Sequence, residues 1–131
     1  MKLFLRSLVI VLAMIPAISF AQTSKAATWP EMKRFHAVMA GTFHPAEEGN
    51  FMPLRSKADS LLVAAKAWQV SDIPANYKPV ETKETLEKLV EQCKLITSAV
   101  EAKADDKQLL GLITEAHEIF HKVAGECKKA E

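Results

Sequence analysis

The sequence has 131 residues, of which 49% are hydrophobic and 25% are charged, and its formal net charge is +1 at pH 7. A chain of this size forms one domain with a single core. Nucleic-acid binding depends on a net basic face, which this near-neutral charge does not supply, so no nucleic-acid partner is expected.

Residues 1–21 have the three parts of a signal peptide for export. Lys2 and Arg6 are positively charged, residues 8–20 are almost wholly apolar, and Ser19 and Ala21 are small residues at the two positions that a signal peptidase reads. We expect cleavage after Ala21, a periplasmic or secreted protein, and a mature domain at residues 22–131. The apolar run is too short for a comfortable membrane span, so no stable span is expected after cleavage.

The first half of the mature chain predicts two amphipathic helices, because apolar residues recur at intervals of three and four. Helix one is predicted to begin at a Thr28 cap and to end near His44, since Pro45 disfavours helical geometry in the residue before it. Helix two is predicted over residues 51–69, with Asn50 as its cap.

The second half repeats this pattern at residues 82–103 and 106–127, which predicts helices three and four. Residues 71–79 form the longest irregular stretch and are predicted to cross between two helical hairpins. Four helices of similar length joined by short connections predict an all-α fold, an antiparallel up-down-up-down four-helix bundle.

The two cysteines are not expected to form an internal disulfide. In an antiparallel pair of helices three and four, Cys127 lies about 15 Å along the axis from the level of Cys93. A disulfide joins Cα atoms no more than about 7 Å apart. Pairing of Cys127 with a second chain, which would give a homodimer, stays open as an alternative.

The candidate ligands are the four histidines, His36, His44, His117 and His121. His117 and His121 are four residues apart, so they lie on one helix face, an arrangement that suits a transition metal. Counting inward from the predicted helix ends brings His36 level with His117. We therefore expect a metal site of His36, His117 and His121.

Other side chains are weaker candidates for the same chemistry. Met32, Cys93 and Glu118 are expected near the three histidines. His44 is expected about 12 Å further along the helix axis, and the alternative for it is an exposed second site with Glu47 and Glu48.

The spacing His-Glu-x-x-His, from His117 to His121, is also the signature of zinc proteases. Peptide hydrolysis needs a third ligand and a substrate cleft as well, and helix four ends within a dozen residues of the motif. We expect no enzymatic activity.

The run at residues 113–122 is ITEAHEIFHK. It resembles the last helix of the cytochrome c′ group, in which Cys-x-x-Cys-His is followed by an acidic, an aromatic and a basic residue. The resemblance puts His117 at the haem-ligand position. Ile113 and Ala116 replace both haem-attaching cysteines, which excludes covalent haem because no thiol can form the thioether.

What the resemblance still implies is noncovalent haem and electron transfer, as in the b-type relatives of that group, with Met32 and either His117 or His121 as ligands. The runs at residues 43–50 and 120–127 also resemble small exported bundle proteins of unknown function.

Three hypotheses follow. The first is an exported, non-catalytic bundle that binds Zn, Cu or Ni through its histidines. The second is a cytochrome-like bundle that holds noncovalent haem, and the third is a structural or interaction module without a ligand.

Overall fold

The structure, a computed structural model, describes residues 28–130, so the predicted signal peptide lies outside the described residues. Over this part of the chain there are four α-helices and no β-strand. The helices are α1 (Pro30–Glu47), α2 (Met52–Gln69), α3 (Pro79–Glu101) and α4 (Asp106–His121). A π-helical turn, Lys122–Glu126, continues α4.

The four helices form a closed ring of neighbours, in which α1 packs on α2 and α4, and α3 packs on α2 and α4. Short connections make successive helices antiparallel. The core between them is apolar and includes Phe35, Met39, Leu61, Ile96 and Ile113, all fully buried. The predicted all-α up-down-up-down four-helix bundle is therefore confirmed. No helix in residues 28–130 combines the length and the apolarity needed to cross a membrane.

The end of α1 differs from the prediction, because the helix continues for nearly a turn beyond His44 with Pro45 inside it. The proline removes a backbone donor only near the C-terminal end, where the helix has few turns left to break. The helix ends where Gly49 adopts a φ of +88°. The Asn50 N–H then donates to the Pro45 carbonyl (2.8 Å) and the Gly49 N–H to the Ala46 carbonyl (3.0 Å). These two bonds make a Schellman motif, so the glycine sets the end of α1.

The other helix boundaries are close to those predicted. α3 begins at Pro79, three residues before the predicted start at Thr82, because a proline suits the first position of a helix. α4 begins at Asp106 as predicted, and the Asp105 side chain caps it by accepting a hydrogen bond from the Gln108 N–H (2.8 Å).

The chain after His121 is not the regular helix that was predicted up to Cys127. The Cys127 N–H donates to the Lys122 carbonyl (3.0 Å), which is the five-residue spacing of a π-helix. Val123 and Cys127 are both buried there. The Cys127 thiol donates to the hydroxyl oxygen of Thr85 (3.7 Å), which is two turns of α3 before Cys93. Cys93 and Cys127 do not form an internal disulfide, as predicted.

The residues after α4 are tied to the crossing between α2 and α3. The Lys78 N–H donates to the Cys127 carbonyl (2.8 Å), and the Lys129 N–H donates to the Asn76 carbonyl (2.9 Å). Tyr77, between these two bonds, is buried and forms an isolated antiparallel bridge with Lys128. The segment between α2 and α3, the longest irregular one between helices, is thus hydrogen-bonded to the residues that follow the π-helical turn.

Candidate metal site between α1 and α4

All four histidines of the chain lie along the line where α1 meets α4. We call His36, His44, His117 and His121 the histidine seam. The centre of the His36 ring is 5.0 Å from the centre of the Phe120 ring on α4. The centre of the His44 ring is 6.4 Å from the centre of the His117 ring. His117 and His121 follow each other along α4, with ring centres 4.4 Å apart.

The periodicity of the two helices explains this arrangement. On α1, Phe43 and His44 follow His36 by seven and eight residues, which is about two turns of a helix. Phe43 is buried and His44 is exposed, so this face lies at the border between core and solvent. On α4, Phe120 is buried beside exposed His121 and half-buried His117. Each helix therefore presents imidazoles next to a phenyl ring.

The closest contact in the seam is between His117 and His121, whose Nε2 atoms are 3.1 Å apart. Two imidazole lone pairs at this distance repel each other unless the nitrogens share a proton or a cation. Two nitrogen donors on one tetrahedral ion, each at about 2.05 Å, are about 3.3 Å apart. The distance between the two nitrogens is therefore close to that of two ligands on one ion.

His117 is held in place by Phe43. The two rings are stacked, with centres 4.0 Å apart and planes 16° apart. The pKa of His117 is lowered from its ordinary value, first because burial disfavours the charged ring and second because His121 is close, while the Glu47 carboxylate opposes the shift. A lowered pKa keeps the ring neutral at neutral pH, which is the form that binds a metal.

His44 is oriented by Glu47. Its Nδ1 is 3.1 Å from the Glu47 Oε2, and both side chains are more than half exposed. An ionised carboxylate only accepts hydrogen bonds, so the His44 Nδ1–H is the donor. When the ring is neutral, the lone pair is then on Nε2.

The structure corrects the expected levels of the histidines. His44, together with Phe43, lies beside His117, while His36 lies parallel to the ring of Phe120 within 2°. The prediction ends helix one at His44, whereas α1 continues to Glu47. The α1 histidine beside His117 is His44, and His36 is about two turns away along α1.

The remaining predicted ligands are placed elsewhere or are exposed. Burial on α3 raises the pKa of the Cys93 thiol to about 12, which disfavours the thiolate that binds metals. The Met32 sulfur accepts a hydrogen bond from the Tyr77 hydroxyl (3.7 Å). Met32 precedes Phe43 by eleven residues, about 16 Å along α1. Glu48 and Glu118 are exposed.

Aromatic side chains fill the core behind the seam. The centre of the Phe120 ring is 5.9 Å from the ring centres of both Phe35 and Trp68. A noncovalent haem needs an apolar cavity of several hundred cubic ångströms between these helices. The rings of Phe35 on α1 and Phe120 on α4 pack together there.

Within residues 28–130, no three or more His, Cys, Asp or Glu side chains are already arranged to hold a metal ion. The seam as it stands supplies one preformed pair of donors, His117 and His121, with His44 next to it. Sequence reasoning missed that Phe43 and Phe120 stack on the imidazoles. The available signal was that each phenylalanine directly precedes a histidine, in Phe43-His44 and Phe120-His121.

Comparison with known proteins found no family model that matches the chain, and no similar curated protein or solved structure.

Proposed function

We propose that this four-helix bundle binds a borderline transition ion, Cu²⁺, Zn²⁺ or Ni²⁺, through His117 and His121. The observation that carries the proposal is the 3.1 Å distance between their two Nε2 atoms. Imidazole nitrogens suit these ions better than Mg²⁺ or Ca²⁺, which prefer oxygen.

Two further features of the described residues support the proposal. Phe43 stacks on His117, so little rotamer entropy is lost when that ring binds an ion. The lowered pKa of His117 means that few protons compete with the ion at neutral pH. The proposed role is binding, buffering or sensing of the ion in the periplasm or outside the cell.

The proposal is tested by titrating the protein, cleared of metal, with Cu²⁺, Zn²⁺ and Ni²⁺ against a competing chelator of known affinity. We expect one ion per chain. His117→Ala and His121→Ala should each weaken binding by about tenfold or more, because each breaks the His117–His121 pair of donors. Glu118→Gln is the matched control, since this exposed residue lies between them in the sequence and should leave the affinity unchanged.

Two outcomes would contradict the proposal. One is wild-type affinity in the double variant His117→Ala/His121→Ala. The other is a protein, prepared from its own compartment, that carries the intense Soret absorption of haem and no other metal, which would favour the cytochrome-like hypothesis.

A further inference from the structure

We propose that His44 is the third nitrogen donor to the ion and that Glu47 is its positioning residue. This inference rests on the proposed function of His117 and His121 and names the rest of their ligand set. It replaces His36 as the ligand from α1.

The distances favour His44. A ring nitrogen lies about 2.05 Å from a zinc ion, and the ring centre lies about 1.1 Å further, so two imidazoles on one ion have centres about 5 to 6 Å apart. The His44 and His117 rings are 6.4 Å apart. His44 is exposed, so its side chain is free to rotate slightly within its rotamer. Such a rotation shortens the distance between the two ring centres by the required ~1 Å.

The direction of the ring favours His44 as well. Its Nδ1–H donates to the Glu47 carboxylate, which leaves Nε2 as the donor atom for an ion. Histidines that bind metals commonly donate their other ring N–H to a carboxylate or a carbonyl, which fixes the tautomer and makes the ligand more basic. In this protein Glu47 is the carboxylate that accepts the hydrogen bond from the His44 Nδ1–H.

The His36 ring is held by a different contact, since it is stacked parallel to the ring of Phe120, with ring centres 5.0 Å apart. A move toward His117 would give up this stacking. The ligand set we infer is therefore His44, His117 and His121, with a fourth coordination position left to water or to a small ligand from solvent.

The number of bound nitrogens can be counted directly. We would load the whole protein with less than one equivalent of Cu²⁺ and record the nitrogen hyperfine pattern by electron paramagnetic resonance. We expect three equatorial imidazole nitrogens in the wild type, two in His44→Ala and three in His36→Ala, the matched control from the same helix. His44→Ala should also weaken binding by about tenfold, a loss typical of a removed ligand or supporting partner.

The results separate this inference from the proposed function. Two nitrogens in the wild type with no change in His44→Ala would overturn the role of His44 and leave the His117–His121 pair intact. A nitrogen lost in His36→Ala, or one ion shared by two chains, would also overturn it. Unchanged copper binding in His117→Ala would instead remove the proposed function itself.

Glu47 is tested by a pair of variants. Glu47→Gln keeps an acceptor for the His44 Nδ1–H, so we expect three nitrogens with a severalfold weaker affinity. Glu47→Ala removes the acceptor, and we expect the third nitrogen to be lost or the affinity to fall by about tenfold. Glu48→Ala, which removes the adjacent exposed carboxylate, is the control. If Glu47→Ala keeps three nitrogens at full affinity, Glu47 does not position His44.

Discussion

Two aromatic clusters lie at different levels of α1, and they differ in what surrounds them. The first, which we call the tryptophan cluster, consists of Trp29, Trp68 and Tyr77, all buried, with ring centres 5.5 Å apart for the Trp29–Trp68 pair and 5.0 Å apart for Trp29–Tyr77. The second is the histidine seam with its stacked phenylalanines. In the first, aromatic packing removes apolar surface from water, whereas in the second it orients ionisable rings that remain accessible. Similar ring contacts therefore stabilise the fold at one level and hold imidazole rings in place at the other.

The largest expected difference between the clusters is in stability. Trp68→Ala should lower the free energy of unfolding by about 3 to 5 kcal/mol, because it leaves a cavity in a fully buried position. His117→Ala should lower it by less than about 1 kcal/mol, because a half-buried surface side chain is lost. Urea unfolding followed by circular dichroism measures both values. Equal losses in the two variants would show that the histidine seam carries as much of the packing as the tryptophan cluster.

Alkaline pH should act on the buried region and not on the seam. Burial raises the pKa of Cys93 from 9.0 to about 12. Above pH 9 the unfolded chain therefore releases a proton that the folded chain keeps, and stability falls as pH rises toward 12. Burial also raises the pKa of Tyr77, which adds to the loss above pH 10.

At no more than about 1.4 kcal/mol per pH unit, Cys93 alone predicts a loss of about 2 kcal/mol between pH 9 and about pH 11. Urea midpoints measured across this range give the slope. Cys93→Ala should remove most of that slope whatever it does to stability at pH 7. If Cys93→Ala has the same slope as the wild type, the Cys93 thiol has the same pKa in the folded and unfolded chains.

The turn at Gly49 ends α1 close to His44 of the seam, and its substitution should show an intermediate effect. Gly49→Ala should cost about 1 to 2 kcal/mol, because the φ of +88° is strained for a residue with a Cβ. Gly111→Ala is the matched control, since this exposed glycine lies inside α4, where an added Cβ meets nothing within 4 Å. That variant should gain about 0.5 to 1 kcal/mol. Thermal unfolding of both variants distinguishes the two signs.

The smallest effect should come from the seam on the acid side, in protein freed of metal. Because the folded pKa of His117 is lowered, its contribution to stability is present above pH 6.5 and is lost as pH falls through the lowered value. His117→Phe should flatten this part of the stability profile. A steeper profile in the variant would contradict the sign of the shift.

The sequence was sufficient for the parts of the structure that depend on local spacing. The intervals of three and four predict the four helices, and the i,i+4 spacing predicts that His117 and His121 share a face. The end of α1 was mispredicted because two stop signals, Pro45 and Gly49, are four residues apart, and only the second closes the backbone hydrogen bonds. Which α1 histidine meets His117 depends on the register between two helices that are far apart in sequence, and packing sets that register. The same reason hid the stacking of Phe43 on His117.

The backbone bonds that tie Asn76 and Lys78 to Lys129 and Cys127 have a consequence for the order of events during synthesis. The segment between α2 and α3 leaves the ribosome long before its hydrogen-bond partners are made. The first helical hairpin and α3 can form while the crossing is still loose, but the Lys78 N–H and the Asn76 carbonyl stay bonded to water until the last residues of the bundle arrive. We expect the amide proton of Lys78 to become protected from exchange only at the final step of folding.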